Sequence, residues 1–172
     1  MRTSKSVIID NTVFSNFAVV DQFRLLKELF KESAWTTSQV HDEITRGINL
    51  GYAFMKKADQ QLIISSPSGW IKIAMPTTVT EHQLYARFSQ TLGLGEASCL
   101  SLAIERKMIL LTDDKLARKN AISYNISLSG TVGALTRAVQ KQLLSLQKAN
   151  ELLAKMIKYK YHSPVTKLDD LI

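Results

Sequence analysis

One cysteine, Cys99, stands in a chain of 172 residues, and that excludes an intramolecular disulfide framework. It lies among small and apolar helical neighbours and reads as a buried packing residue. No apolar run approaches the roughly 18 residues that a membrane span needs. No signal-peptide pattern follows Met1. Repeats, low-complexity segments and linkers are missing too, so one domain is expected over residues 1–172, its end after about residue 160 a C-terminal tail. His41, His82 and His162 are scattered without metal-ligand spacing. No Ser-His-Asp or Cys-His arrangement stands out. These absences point to a soluble, cytoplasmic chain with no membrane partner.

What is present begins with a hydrophobic fraction of 45%, enough for a proper core. The net charge of +7 and the pI near 9.5 favour an anionic partner such as nucleic acid. The same charge equally suits an ordinary basic surface.

The pattern along the chain is organised by Val7-Ile8-Ile9, a β-branched run that stops at Asp10 and reads as a buried strand. A second such run, Met108 to Thr112, ends at Asp113-Asp114. Shorter strands are expected at Ala34–Thr36, Trp70–Ala74 and around Ile126–Leu128. Helices are expected between them: Phe23–Phe30 with Asp21 as its cap, Gln39–Asn49 capped by Thr37 or Ser38, and Tyr52–Gln61. Others are expected over Thr80–Thr91, Glu96 to about Arg106, Leu116–Asn120, from Gly130, and Gln147 to about Tyr159. Strands alternating with helices give an α/β fold with a mostly parallel sheet of roughly five strands, covered on both faces. In such sheets ligands bind at the carboxyl ends of the strands. Asp10 and Asp114 both belong at that edge, although either alone reads as a helix cap.

Two more acids join them. At about 100° per residue, Val40, Ile44, Gly47 and Ile48 share one helix face and Glu43 flanks it about 60° from Val40. Asp42 points to solvent. Glu96 lines up with Leu100, Ala103 and Ile104, and a carboxylate on a buried stripe is costly unless paired. At the first turn of its helix it also suits the dipole, so capping is the competing role. The Gly93-x-Gly95 before it lets the chain turn tightly, but lacks the rest of either nucleotide fingerprint. Four crowded acids repel unless they bind protons or a cation, and an all-oxygen set suits Mg²⁺ or Mn²⁺.

Taken together and in order, these residues resemble the PIN-domain ribonucleases, which include the VapC-like toxins of toxin–antitoxin pairs. The closest likeness is to a branch with Asp10-Asn11-Thr12-x-x-Ser15-Asn16-Phe17, Gly93-x-Gly95-Glu96-Ala97, Asp113-Asp114-x-x-Ala117-Arg118 and Gly130-Thr131-x-Gly133. The resemblance implies a three-layer α/β/α domain that cuts RNA with Mg²⁺ or Mn²⁺. Asp10, Glu43, Glu96 and Asp114 would be the catalytic and metal-binding quartet. Asp113 would be a further metal helper, and Thr12, Asn16, Thr112 and Thr131 would contact substrate. An antitoxin protein and a homodimer are partners that it leaves open. Lys115, Arg118 and the last helix (Lys148, Lys155, Lys158, Lys160) are placed to steer an RNA backbone, although Lys148 and Lys155 suit a solvated face equally well. The alternative is a non-catalytic PIN-like module that binds RNA or protein, which predicts a damaged quartet. A receiver-like domain wants its acid pair after the first strand, and here the pair follows a later one.

Overall fold

The Val7-Ile8-Ile9 run forms β1 (Val7–Ile9), the central strand of the sheet, with all three side chains buried. Its branched side chains suit a strand covered on both faces. The structure, a computed structural model, describes residues 5–172; the signal-peptide expectation at Met1 falls on residues outside the described ones. The other strands are β2 (Ala34–Thr37), β3 (Lys72–Ala74), β4 (Ile109–Leu111) and β5 (Leu128–Ser129). Their order is β3-β2-β1-β4-β5, and every pairing is parallel, with Ile8 opposite both Trp35 and Leu110.

The helices are α1 (Asn11–Val19), α2 (Phe23–Phe30), α3 (Ser38–Asn49), α4 (Met55–Asp59) and α5 (Val79–Phe88). They continue as α6 (Leu94–Arg106), α7 (Lys115–Ser123), α8 (Thr131–Gln140) and α9 (Leu146–Lys158). Helices flank the sheet in a three-layer α/β/α arrangement. One packed group centres on α6, which touches β1, β2 and β4 and packs against α3, α5 and α7. In another, α8 packs with α1, α2 and α9. Buried in the first turn of α5, Glu81 is gripped by Arg106, whose Nε lies 2.6 Å from Oε1.

Because all strands run one way, their carboxyl ends share one edge. Side chains there both end strands and start helices. Asp10 caps α1, Thr37 caps α3 and Asp114 caps α7; a cap of this kind is worth about 1 kcal/mol.

Two local expectations are revised. Asp21 does not cap α2: it sits in a left-handed turn (φ 55°), the cap position is Gln22, and the Asp21 carboxylate meets Lys57 at 2.8 Å. The strand expected from Trp70 starts only at Lys72, because the Trp70 and Ile71 N–H groups both turn to the Gln61 carbonyl, at 2.9 and 3.0 Å. The stretch after residue 160 is packed: Tyr161 and Leu168 are buried, and the Leu168 N–H donates to Asn150 Oδ1 at 2.8 Å.

Candidate functional site

Asp10 is fully buried at the end of β1. Its Oδ1 accepts from the Thr12 N–H at 3.0 Å and the Thr12 hydroxyl at 2.5 Å. Its Oδ2 accepts from the Thr112 hydroxyl. Burial raises the Asp10 pKa to about 7, against the pull of those hydroxyls, and the charges of Glu96 and Asp113 add to the rise. The Thr112 oxygen in turn accepts the Asp114 N–H at 3.1 Å. One buried hydroxyl thus fixes the acid after β1 relative to the acid after β4.

Glu43 reaches the same edge from α3. Its Oε1 accepts the Gly95 N–H at 2.8 Å, which sets it beside the first turn of α6 and so beside Glu96. A side chain at Gly95 would put its Cβ 2.6 Å from the Glu43 carboxylate, so any larger residue there would push that carboxylate out of its place. Desolvation raises the pKa of both Glu43 and Glu96; the Glu96 charge raises Glu43 further, and the Asp114 charge raises Glu96. Asp42 is exposed while Glu43 is half-buried, as the helix phase requires.

Asp113 is tied differently. Oδ1 accepts from the Thr131 N–H (3.0 Å) and the Tyr161 hydroxyl (3.1 Å). Oδ2 accepts from the Thr131 hydroxyl (2.5 Å) and Asn16 Nδ2 (3.0 Å). These four donors fill the lone-pair positions a carboxylate offers. Asp113 therefore pins the end of β4 to α1, to the start of α8 and to the C-terminal stretch. Thr112 and Thr131, expected at the substrate, are fully buried and serve carboxylates. Arg118, expected at the RNA backbone, sends Nη1 to the carbonyls of Thr112 and Ser129, both at 3.0 Å, clasping the ends of β4 and β5.

A cleft of about 680 Å³ opens over this edge, with Asn11, Thr12, Asn16, Glu96, Asp114 and Lys115 in its wall. Tyr161 also lines it, a residue the sequence reading passed over; its signal was an aromatic residue in a tail that also carries Val165 and Leu168. Burial and the Asp113 charge raise the phenol's pKa, so Tyr161 stays a proton donor. Tyr161→Phe is expected to cost about 1 kcal/mol, a fall of roughly 2–4 °C in the melting temperature of a domain this size. An unchanged melt would show that the clasp on Asp113 holds nothing.

A family model described as a PIN domain matches residues 6–172. The chain belongs to the PIN-domain family. A search of curated proteins finds no match. PIN domains are in general nucleases and typically use divalent metals. Among the described residues of this PIN domain, no helix is long and apolar enough to cross a membrane.

The donors present suit a hard cation. Asp10, Glu43, Glu96 and Asp114 offer only oxygen, and none of them forms an ion pair among the described residues. The Asn11 amide oxygen beside them is buried without a partner. No three His, Cys, Asp or Glu side chains among the described residues stand close enough to cage an ion. Mg²⁺ needs no such cage: it is usually held by one or two carboxylates, with water and substrate phosphate completing the octahedron.

Proposed function

We propose that this PIN domain is an endoribonuclease dependent on Mg²⁺ or Mn²⁺, with Asp10, Glu43, Glu96 and Asp114 as its working carboxylates. The observation that carries the reading is their arrival at one strand edge, where Asp10, Glu43 and Glu96 have raised proton affinities and none of the four forms an ion pair among the described residues. Buried acids that nothing neutralises are expensive to retain, and a site that takes up a cation accounts for them.

When bound, the metal would lower the pKa of a water and neutralise the scissile phosphate. The chain's own residues do the placing. Thr112 holds Asp10 and Asp114 in register, and Gly95 holds Glu43 against the start of α6. Asp113, saturated by Thr131, Asn16 and Tyr161, keeps that frame rigid and is a supporting residue in this reading. Lys115 lines the cleft and faces the phosphate backbone. Within the family, the VapC-like branch is favoured by the Asp-Asn-Thr, Gly-x-Gly-Glu-Ala and Asp-Asp-x-x-Ala-Arg runs, and a toxin paired with an antitoxin is the corresponding role.

Purified protein incubated with mixed RNA is expected to cut it in Mg²⁺ or Mn²⁺ and to stop when chelator is added. Cutting that persists in chelator, or no cutting in either metal, would overturn the reading.

A further inference from the structure

The acids are not the only groups in the cleft. A second cavity of about 280 Å³, lined by Glu43, Arg46, Tyr52 and Phe54, shares Asn11 and Ser15 with the first. The two meet over the start of α1 as one groove, with Glu43 in the wall of the second cavity and Glu96 and Asp114 in the wall of the first. At one end stand Arg46 and Tyr52. At the other stand Lys115, Tyr159 and Lys160.

The same backbone device ends α3 and α9, with Tyr52 just after the left-handed residue of one and Tyr159 just before that of the other. After α3, the Gly51 N–H bonds Ile48 O and the Tyr52 N–H bonds Gly47 O, both at 3.0 Å, with Gly51 left-handed at φ 94°. After α9, the Lys160 N–H bonds Ile157 O and the Tyr161 N–H bonds Met156 O, again at 3.0 Å. Here the left-handed position is a lysine, at φ 72°. This paired bonding is the Schellman helix end, whose left-handed residue is usually glycine and whose following side chain commonly packs back on the helix. Tyr161 does turn inward. Tyr52 does not: it is 54% exposed, and Tyr159 is 65% exposed. Two rings are thus held by rigid helix ends with their surfaces open to the groove. Lys160 accepts a backbone conformation that suits glycine better, at a place where its charge faces the same groove.

We infer that this groove is a track for single-stranded RNA, with one base stacked on Tyr52, another on Tyr159, and the intervening backbone carried across the carboxylates. The inference deepens the nuclease reading and rests on it for the class of substrate. Exposed aromatic rings beside cations are the recognition chemistry of unpaired bases, whose faces are hidden in a duplex. Arg46, Lys115 and Lys160 complement the phosphates on either side of the acids. The small cavity gives the Tyr52 ring a floor in Phe54, whose ring centroid lies 6.0 Å away.

The test is fluorescence anisotropy in chelator, where cutting plays no part, using a labelled single-stranded RNA of about a dozen nucleotides and the same RNA annealed to its complement. Single strands are expected to bind more tightly than duplex. Tyr52→Ala and Tyr159→Ala should each weaken single-strand binding about tenfold or more, with little effect on duplex. The Phe variants, which keep the ring, should bind as wild type does. Lys160→Gly should melt higher than wild type yet bind RNA more weakly, with a shallower salt dependence. Equal binding of duplex, or Ala variants that bind like wild type, would overturn the track. Self-association that needs Tyr52, without preference for single strands, would make this face a contact between copies and overturn it as well. Cleavage in Mn²⁺ alongside unaffected Ala variants would sink the track and leave the nuclease. Stacking without cleavage would do the reverse.

Discussion

Glu43→Gln is expected to abolish RNA cleavage while Asp42→Asn leaves it intact. The two residues are neighbours of like charge, so overall electrostatics cannot separate them. Geometry does: Asp42 is exposed, whereas Glu43 is held by the Gly95 N–H at 2.8 Å beside Glu96. The glutamine keeps the shape and an amide oxygen to accept that N–H, so the fold should be unchanged. What it loses is the charge that a hard cation requires. Groups that merely orient a metal's ligands are commonly worth about 10- to 100-fold, so losing a ligand itself should cost a hundredfold or more. Rates of RNA cleavage in Mn²⁺ for the two variants check this; equal losses would mean that Glu43 has no privileged place in the site.

The second large effect is on stability in the absence of metal. Asp10 holds its proton up to about pH 7 in the folded chain, against 3.8 ordinarily. Between those values the folded state binds a proton that the unfolded state has released, so stability falls as pH rises. Below the window both states are protonated, and above it both are ionised. The full span is on the order of 4 kcal/mol, and Glu43 and Glu96, also raised, act in the same direction. Glu81 acts oppositely. Arg106 lowers its pKa from 4.5 to about 2, so its contribution is present above 4.5 and lost as pH falls toward 2. Metal-free protein should therefore be most stable near pH 4 and lose stability toward neutrality. Denaturant titrations in chelator across pH 3–8 measure the profile. Stability that rises steadily up to pH 7 would show that Asp10 carries no strained charge.

Some of this was legible in the sequence because single local patterns determine it. A β-branched run ending in Asp10 specifies a buried strand and an acid at its carboxyl end. The 3.6-residue period separates Glu43 from Asp42 without any tertiary knowledge. The saturation of Asp113 was not legible, since its donors Asn16, Thr131 and Tyr161 come from three distant stretches that only the folded sheet edge brings together. The same holds for Arg118, whose carbonyl partners become neighbours when β5 pairs with β4. Asp21 misled for a local reason: aspartate suits both a helix cap and a left-handed turn, and here the turn prevailed, one residue before the true cap position. Tyr161 was hidden because a short stretch beyond the last helix has no periodicity from which to read burial.

The central claim is that Asp10 belongs to a cation site and does more than cap α1. Thermal melts of wild type and Asp10→Asn, each in chelator and in excess Mn²⁺ at pH 8, test it most directly. Asparagine caps a helix about as well as aspartate, so a purely capping role predicts little change in either condition. If Asp10 holds a cation, the chelated variant is at least as stable as wild type, because a buried charge has been removed. Wild type then gains about 2.7 kcal/mol with Mn²⁺ at roughly 100 times its dissociation constant, and the variant loses most of that gain. A variant that still shows the full Mn²⁺ shift, whether unchanged or destabilised in chelator, would contradict the claim.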